Sequence, residues 1–208
     1  RVKTHLKLKY AYQRIIREQA ERLKHIQKAQ MDILTDPADI PEANFGVCYS
    51  PLQEAGGDFY DVFRVGSDNL GYFIGDISGH DIKASFNTSA LKALVRQNFD
   101  SLFSPQESMK LINRVLTSLF REGQHLTAAY VNLDRTTNKL TYVSAAHPPM
   151  IYLHSVGEAR SVAGEGDIMG VFNASYFESI YLDGSKGDRF FLYSDGLIES
   201  MDKNKSRE

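Results

Sequence analysis

From Leu6 to Leu34 the sequence contains no Gly or Pro and is dominated by Gln, Arg, Lys, Glu, Ala and Leu, which predicts one long helix. Ile16, Ala20, Leu23 and Ile26 fall at steps of four, three and three, and Ile33 and Leu34 continue the stripe. One face is therefore apolar and the rest charged, with Gln19, Gln27 and Gln30 interrupting the seam. A narrow seam on a long charged helix suits a coiled-coil linker that pairs with another chain; a helix lying on its own domain is the alternative. Thr35-Asp36-Pro37 stops the helix, and Pro41 predicts an extended connection, so residues 37–44 form a boundary.

Beyond the boundary the apolar period changes to two. Asp58 to Val65 and Leu70 to Ile77 flank Gly66-Ser67-Asp68-Asn69, which predicts a hairpin. Two helices follow, from about Ile82 to Phe103 and from Ser104 to Arg121. Ser104-Pro105-Gln106-Glu107 supplies an N-cap serine, a proline at the first helical position and a capping-box glutamate. Strands return over Leu126–Leu133, Leu140–Ala145, Met150–His154, Tyr176–Leu182 and Arg189–Tyr193. Strands, two helices, then strands again describe an α+β domain with antiparallel sheets. The organisation expected is a helical, coiled-coil-like linker at 1–36 and a folded domain at 37–208.

Composition adds limits. A chain of 208 residues with 42% apolar and 24% charged residues can bury a real core, which excludes wholesale disorder and fibrous repeats. The lone Cys48 excludes an intrachain disulfide and a cysteine-rich zinc site, and makes a reducing, cytoplasmic location the expectation. No apolar run is long enough for a membrane span. Residues 1–34 carry nine Lys or Arg against three acids, an excess of +6, so the remainder carries −8. A basic segment on an acidic body raises the question of nucleic acid, but the solvated face of a linker helix explains it better, and no nucleic-acid partner is expected.

The acids inside apolar strands are what need chemistry. Asp58 follows Gly56-Gly57 and precedes Phe59-Tyr60; Asp76 follows Tyr72-Phe73-Ile74-Gly75; Asp195 follows Phe190-Phe191-Leu192-Tyr193-Ser194. Any one of them reads as a cap or turn residue. Together they are costly to bury and repel one another unless a cation compensates. Mg2+ or Mn2+ removes the conflict, since hard divalent ions take carboxylate and water oxygens. Ser78 does not suggest a serine hydrolase, because Gly75-Asp76-Ile77-Ser78-Gly79 lacks the G-x-S-x-G spacing. His5, His25, His125 and His154 share no metal-ligand spacing.

Four segments in order, Ala55-Gly56-Gly57-Asp58-Phe59-Tyr60-Asp61, Gly75-Asp76-Ile77-Ser78-Gly79-His80, Ala145-Ala146-His147-Pro148-Pro149 and Tyr193-Ser194-Asp195-Gly196-Leu197-Ile198-Glu199, resemble the signatures of bacterial SpoIIE/RsbU-type phosphatases. These belong to the metal-dependent, protein phosphatase 2C-like (PPM) class of serine/threonine phosphatases. The resemblance implies a PPM-type β-sandwich of two antiparallel sheets flanked by α-helices, with two Mn2+ or Mg2+ ions at one end. It implies that Asp76 bridges the ions, the Ile77 carbonyl holds one, Asp195 binds the second, and Asp58 acts directly or through water. Metal-activated water then attacks a phosphoserine or phosphothreonine, with no covalent enzyme intermediate. His80, Gly57 and Gly196 are possible outer-shell residues, and His147 is read as packing the active-site end of the sheet. Ala146 stands where the family has glycine. The family's downstream Gly-Asp-Asp segment is not reached before Glu208, and Asp202 and Glu208 do not sit in such a motif, so the domain is expected to be truncated at its C-terminus. The implied substrate is a phosphorylated STAS-domain anti-anti-sigma factor in partner switching. The implied setting is an output domain behind an upstream sensor or receiver domain, paired as a homodimer through the N-terminal helix, with the two helices after Ile82 as a switch. The alternative from another class is a non-catalytic pseudophosphatase that docks a STAS-type partner.

Overall fold

The structure, a computed structural model, describes residues 2–51, 56–79, 82–121 and 123–198. Its first helix, α1 (Val2–Asp32), is the long helix expected from the sequence. The connection after it is not extended. Asp36 caps a 3-10 turn over Pro37–Asp39 by accepting from the Ala38 N–H (2.8 Å), and a second turn covers Pro41–Ala43, with Asn44 in the left-handed region. Proline at the first position of such turns costs nothing, because its missing N–H is not needed there. Ile40 and Ala43 are consequently buried.

The hairpin forms as expected: β1 (Asp58–Val65) pairs antiparallel with β2 (Asn69–Ile77) around a turn in which Gly66 has φ +65°. Helix α2 (Ile82–Asn98) is five residues shorter than the apolar pattern suggested, because Asp100 Oδ1 accepts from the Leu102 N–H in an Asx turn. Helix α3 (Pro105–Leu119) carries the full capping box, Ser104 Oγ accepting from the Glu107 N–H and Glu107 Oε2 from the Ser104 N–H. The remaining strands are β3 (Leu126–Asp134), β4 (Lys139–Ala145), β5 (Met150–Leu153), β6 (Ala159–Val162), β7 (Ser179–Asp183) and β8 (Arg189–Phe191). Strand β6 was not anticipated, for three of its four residues are exposed and no alternation marks it.

All pairings are antiparallel. One sheet has the order β1-β2-β3-β4-β7 and the other β6-β5-β8. The five-stranded sheet is covered on both faces. On one, Phe59, Phe63 and Tyr130 pack with Leu91, Val95 and Phe99 of the α2 region and with Met109, Ile112 and Leu116 of α3. Those three α3 positions follow helical spacing, so a single stripe is buried. On the other, Val62, Leu70 and Tyr142 pack with Met150, Tyr152 and Val162 of the smaller sheet. This is the expected α+β sandwich.

The end of α1 is tied into the body by a buried ion pair. Asp61 is fully buried on the helix-facing side of β1, and both its oxygens accept from Arg96 of α2 at 2.6 and 2.7 Å. Thr35 donates to the same carboxylate, and Lys92 lies 4.0 Å away while also bonding the Ile33 carbonyl. The Gln30 side chain accepts from the Gly56 N–H and donates to the Gly56 carbonyl. Earlier on α1, Tyr10, Tyr12, Ile15 and Ile16 are exposed.

Removing one partner of a buried pair strands the other charge, so Arg96→Met is expected to cost about 3 kcal/mol. Arg64→Met, which loses only the solvent-facing pair to Glu42, is expected to cost under about 1 kcal/mol. Urea unfolding of the two variants measures the difference; equal losses would show that Asp61 does not depend on the arginine.

Candidate active site at the end of the sandwich

The hairpin register places Asp58 directly opposite Asp76, and the next step across the sheet places Asp76 opposite Thr127 of β3. Directly opposed residues share a face. That face is the sandwich side, since Asp58 shares it with Val62, and Asp76 with Tyr72 and Leu70. The Ile77 N–H donates to the Gly57 carbonyl at 3.1 Å, which makes 57/77 a hydrogen-bonded pair. Asp58/Asp76 is therefore the adjoining non-hydrogen-bonded pair, where side chains approach most closely. Both aspartates are half-buried.

Gly57 is required by this geometry. A Cβ there would overlap the Ile77 carbonyl oxygen and stand 3.0 Å from Asp76 Oδ1. The bare backbone thus leaves a cradle formed by that carbonyl and carboxylate. The Tyr49 hydroxyl donates to the Asp58 carbonyl (3.1 Å) and fixes the entry to β1.

The third predicted aspartate arrives from the other sheet. Beyond β8 the chain runs through Leu192, Tyr193 and Ser194 into a 3-10 turn, Asp195–Leu197. Ser194 Oγ donates to Asp58 Oδ2 at 3.3 Å, so this segment joins the aspartate pair, while Asp195 itself is exposed. Among the described residues no three His, Cys, Asp or Glu side chains converge as a metal-holding group. The structure therefore brings Asp58, Asp76 and Ile77 together around Gly57 and attaches Asp195 through its neighbour. A Cβ at Gly196 meets only Ser194 Oγ at 3.9 Å, so space does not demand glycine there. His80 lies outside the described residues.

The donor set fits a hard divalent cation. Two like charges directly opposed on adjoining strands destabilise a sheet, and a cation between oxygen donors reverses the sign of that interaction. A peptide carbonyl in the same cradle adds a neutral oxygen of the kind such ions accept.

Two residues beside the pair have a closer connection to it than the sequence indicated. His147 is 8% exposed, and its Nδ1 lies 3.0 Å from the hydroxyl of Thr127, the residue opposite Asp76. Burial pushes the imidazole down to about 4, partly opposed by the Tyr193 main chain and the Asp195 carboxylate. Thr127 carries no sequence signal of its own, because only strand register reveals its partner.

A two-sheet sandwich with helices over the larger sheet is the fold of PP2C-type phosphatase domains. The SiaA-PP2C domain of Pseudomonas aeruginosa is similar with a TM-score of 0.75 at 19% identity, covering 89% of this chain and 75% of that one. RsbX in complex with magnesium gives a TM-score of 0.57 at 18% identity over 68% of this chain and 67% of that one. The family model for stage II sporulation protein E (SpoIIE) matches residues 66–208, and the chain belongs to this family. Phosphoserine phosphatase RsbP of Bacillus subtilis is 29% identical over 181 residues, 85% of this chain and 45% of RsbP. The chain spans about half the length of the curated relatives it matches.

Because His147 is held neutral when folded, its contribution to stability is complete above its unfolded value near 6.5 and is lost as the pH falls toward about 4. The loss over that window is expected to reach about 3 kcal/mol. Urea midpoints measured from pH 7 to pH 4.5 on the metal-free chain should fall more steeply than those of His147→Gln; parallel curves would contradict this assignment.

Proposed function

We infer that the chain is the catalytic domain of a metal-dependent protein serine/threonine phosphatase, acting on phosphoserine or phosphothreonine of a signalling protein. The observation that carries this is the direct opposition of Asp58 and Asp76 over the Gly57–Ile77 cradle, in a chain of the SpoIIE family. RsbP, the relative described above, is named a phosphoserine phosphatase. Asp58, Asp76 and the Ile77 carbonyl are the groups that would hold a divalent ion, with Asp195 at a second position. Two ions of Mg2+ or Mn2+ are proposed, the former suggested by the magnesium complex of RsbX. When bound, the ions supply positive charge that neutralises phosphoryl oxygens and activates water.

The chain's own residues do the positioning. The strand pair fixes the separation of the two carboxylates, and Ser194 restrains one oxygen of Asp58. The proposed substrate is a phosphorylated STAS-domain protein, with an upstream sensor or receiver domain in the same polypeptide. Helix α1 is proposed to pair with a second copy through its exposed Tyr12, Ile15 and Ile16. Signals would then enter through the contacts that Ile33 and Thr35, just after its last turn, make with α2, the two helices after the hairpin acting as the switch.

Phosphate release from a phosphoserine STAS-domain protein is expected only with Mn2+ or Mg2+, and Asp76→Asn is expected to lower it by about 100-fold or more. Metal-independent turnover would overturn the reading, and partner binding without turnover would favour a docking module instead. Fusion of a leucine zipper before Val2 is expected to change the rate. Equal turnover by monomeric and zipper-paired forms would remove the proposed role of α1.

A further inference from the structure

The segment between β6 and β7 has its own attachment to the end of the larger sheet. Residues 165–167 run antiparallel to residues 176–178, the Asp167 N–H donating to the Tyr176 carbonyl at 2.9 Å and the Glu178 N–H to the Glu165 carbonyl at 2.8 Å. Beyond this stem, Met169 exchanges both backbone hydrogen bonds with Leu126, each 3.0 Å long. Strand β4 ends at Ala145, opposite Ala128, so Met169 takes the place that a further residue of β4 would have held beside β3. On its other side Leu126 is opposite Ile77, whose carbonyl lines the cradle at Gly57. Leu126 and Met169 are both fully buried, so this pair supplies backbone partners that water cannot.

The tip of the segment is held by one buried side chain. Asn113 of α3 is 1% exposed and lies on the buried side of the helix with Met109, Ile112 and Leu116, where an unbonded amide would be costly. Its Oδ1 accepts from the Gly170 N–H at 2.8 Å, and its Nδ2 donates to the Phe172 carbonyl at 2.8 Å and to Ser175 Oγ at 3.0 Å. The carboxamide thus pairs with the turn as another peptide group would. The turn is shaped to this contact: Gly170 has φ +84°, and a Cβ there would stand 2.4 Å from the ring of Phe120, just after α3.

We propose that Asn113 is a positioning residue for the candidate metal site. It fixes the turn at 170–175, the turn fixes Met169 on Leu126, and that pair sets the edge of β3 beside which Ile77 presents its carbonyl. Asn113 acts through these residues and touches neither ion nor substrate. The role rests on the reading that the Ile77 carbonyl helps to hold a divalent ion. It extends that reading to the segment between β6 and β7, which carries none of the four motifs. Outer partners of this kind govern metal affinity because they remove the freedom of the donors they support.

Two measurements on the chain as it is test this: Mn2+ uptake, followed by electron paramagnetic resonance of the free ion, and amide hydrogen exchange at Leu126 and Met169 in the metal-free protein, taken relative to Tyr130 in the middle of β3. Asn113→Ala should weaken Mn2+ binding by about tenfold. It should also speed the relative exchange of both amides by about tenfold or more. Ser108→Ala is the comparison, since it removes another buried hydrogen bond of α3, to the Asn98 carbonyl at 2.8 Å, on the side of α2 rather than of the loop. It should leave both readouts within about twofold of the parent. Unchanged Mn2+ affinity in Asn113→Ala, or equal effects of the two substitutions, would overturn the proposal. Ser175→Ala removes a loop-side partner and leaves α3 intact, so it decides the matter if Asn113→Ala does not fold: both readouts should move the same way by about threefold, and no movement in either would overturn the proposal. If the parent chain takes up no Mn2+ at all, the metal reading fails, and the relative exchange at Leu126 still decides whether Asn113 holds the edge of β3.

Discussion

The end of the sandwich is governed by one unfavourable contact, the opposition of Asp58 and Asp76 on neighbouring strands at the position where side chains come closest. A stable fold does not place two carboxylates there without surroundings that tolerate them. The hairpin is fixed by eight consecutive residue pairs, so neither aspartate can slip to the other face without turning Phe59 and Phe73 out of the core. Gly57 belongs to the same constraint, because any side chain there would push the Ile77 carbonyl away. Register and the bare backbone together specify a cradle lined by a carboxylate and a carbonyl oxygen.

Strand β1 carries a second acid with the opposite solution. Asp58 and Asp61 are three residues apart, so the strand period sends them to opposite faces. Asp58 faces the second sheet and is left half-exposed, whereas Asp61 faces the helices and is closed off by a two-pronged arginine. A planar guanidinium that binds both oxygens suits complete burial, since it satisfies the carboxylate and brings its own charge. One aspartate is thus closed off by an arginine, and the other stays at the half-exposed end of the sandwich.

Much of this was visible in the amino-acid order. The hairpin followed from alternation about Gly66-Ser67-Asp68-Asn69, the start of α3 from its capping box, and the aspartates from their place inside apolar strands. What escaped was set by partners distant in sequence. Arg96 is 35 residues from Asp61, and Thr127 is 20 from His147, so neither pairing leaves a local pattern. Strand β6 exists because β5 offers it an edge, not because its own residues alternate. The connection at 37–44 misled because proline was read as breaking a helix, while at the first position of a 3-10 turn it is at home.

The arrangement has a mechanical consequence for how α1 could influence the site. Thr35 and Arg96 meet at Asp61, and Gln30 bonds the Gly56 backbone next to Gly57. The last turn of α1 and the residues just after it therefore touch both ends of the short stretch that carries Asp58, one contact on each side of it. Rotation of that turn cannot move Asp61 and Gly56 together without changing the path of the backbone between them, because β1 is pinned along its length by β2. Displacement is absorbed where pinning ends, at Gly56, since Gly57 already bonds the neighbouring strand through the Ile77 N–H. A movement of α1 would thus act on the residue directly before the Gly57 cradle.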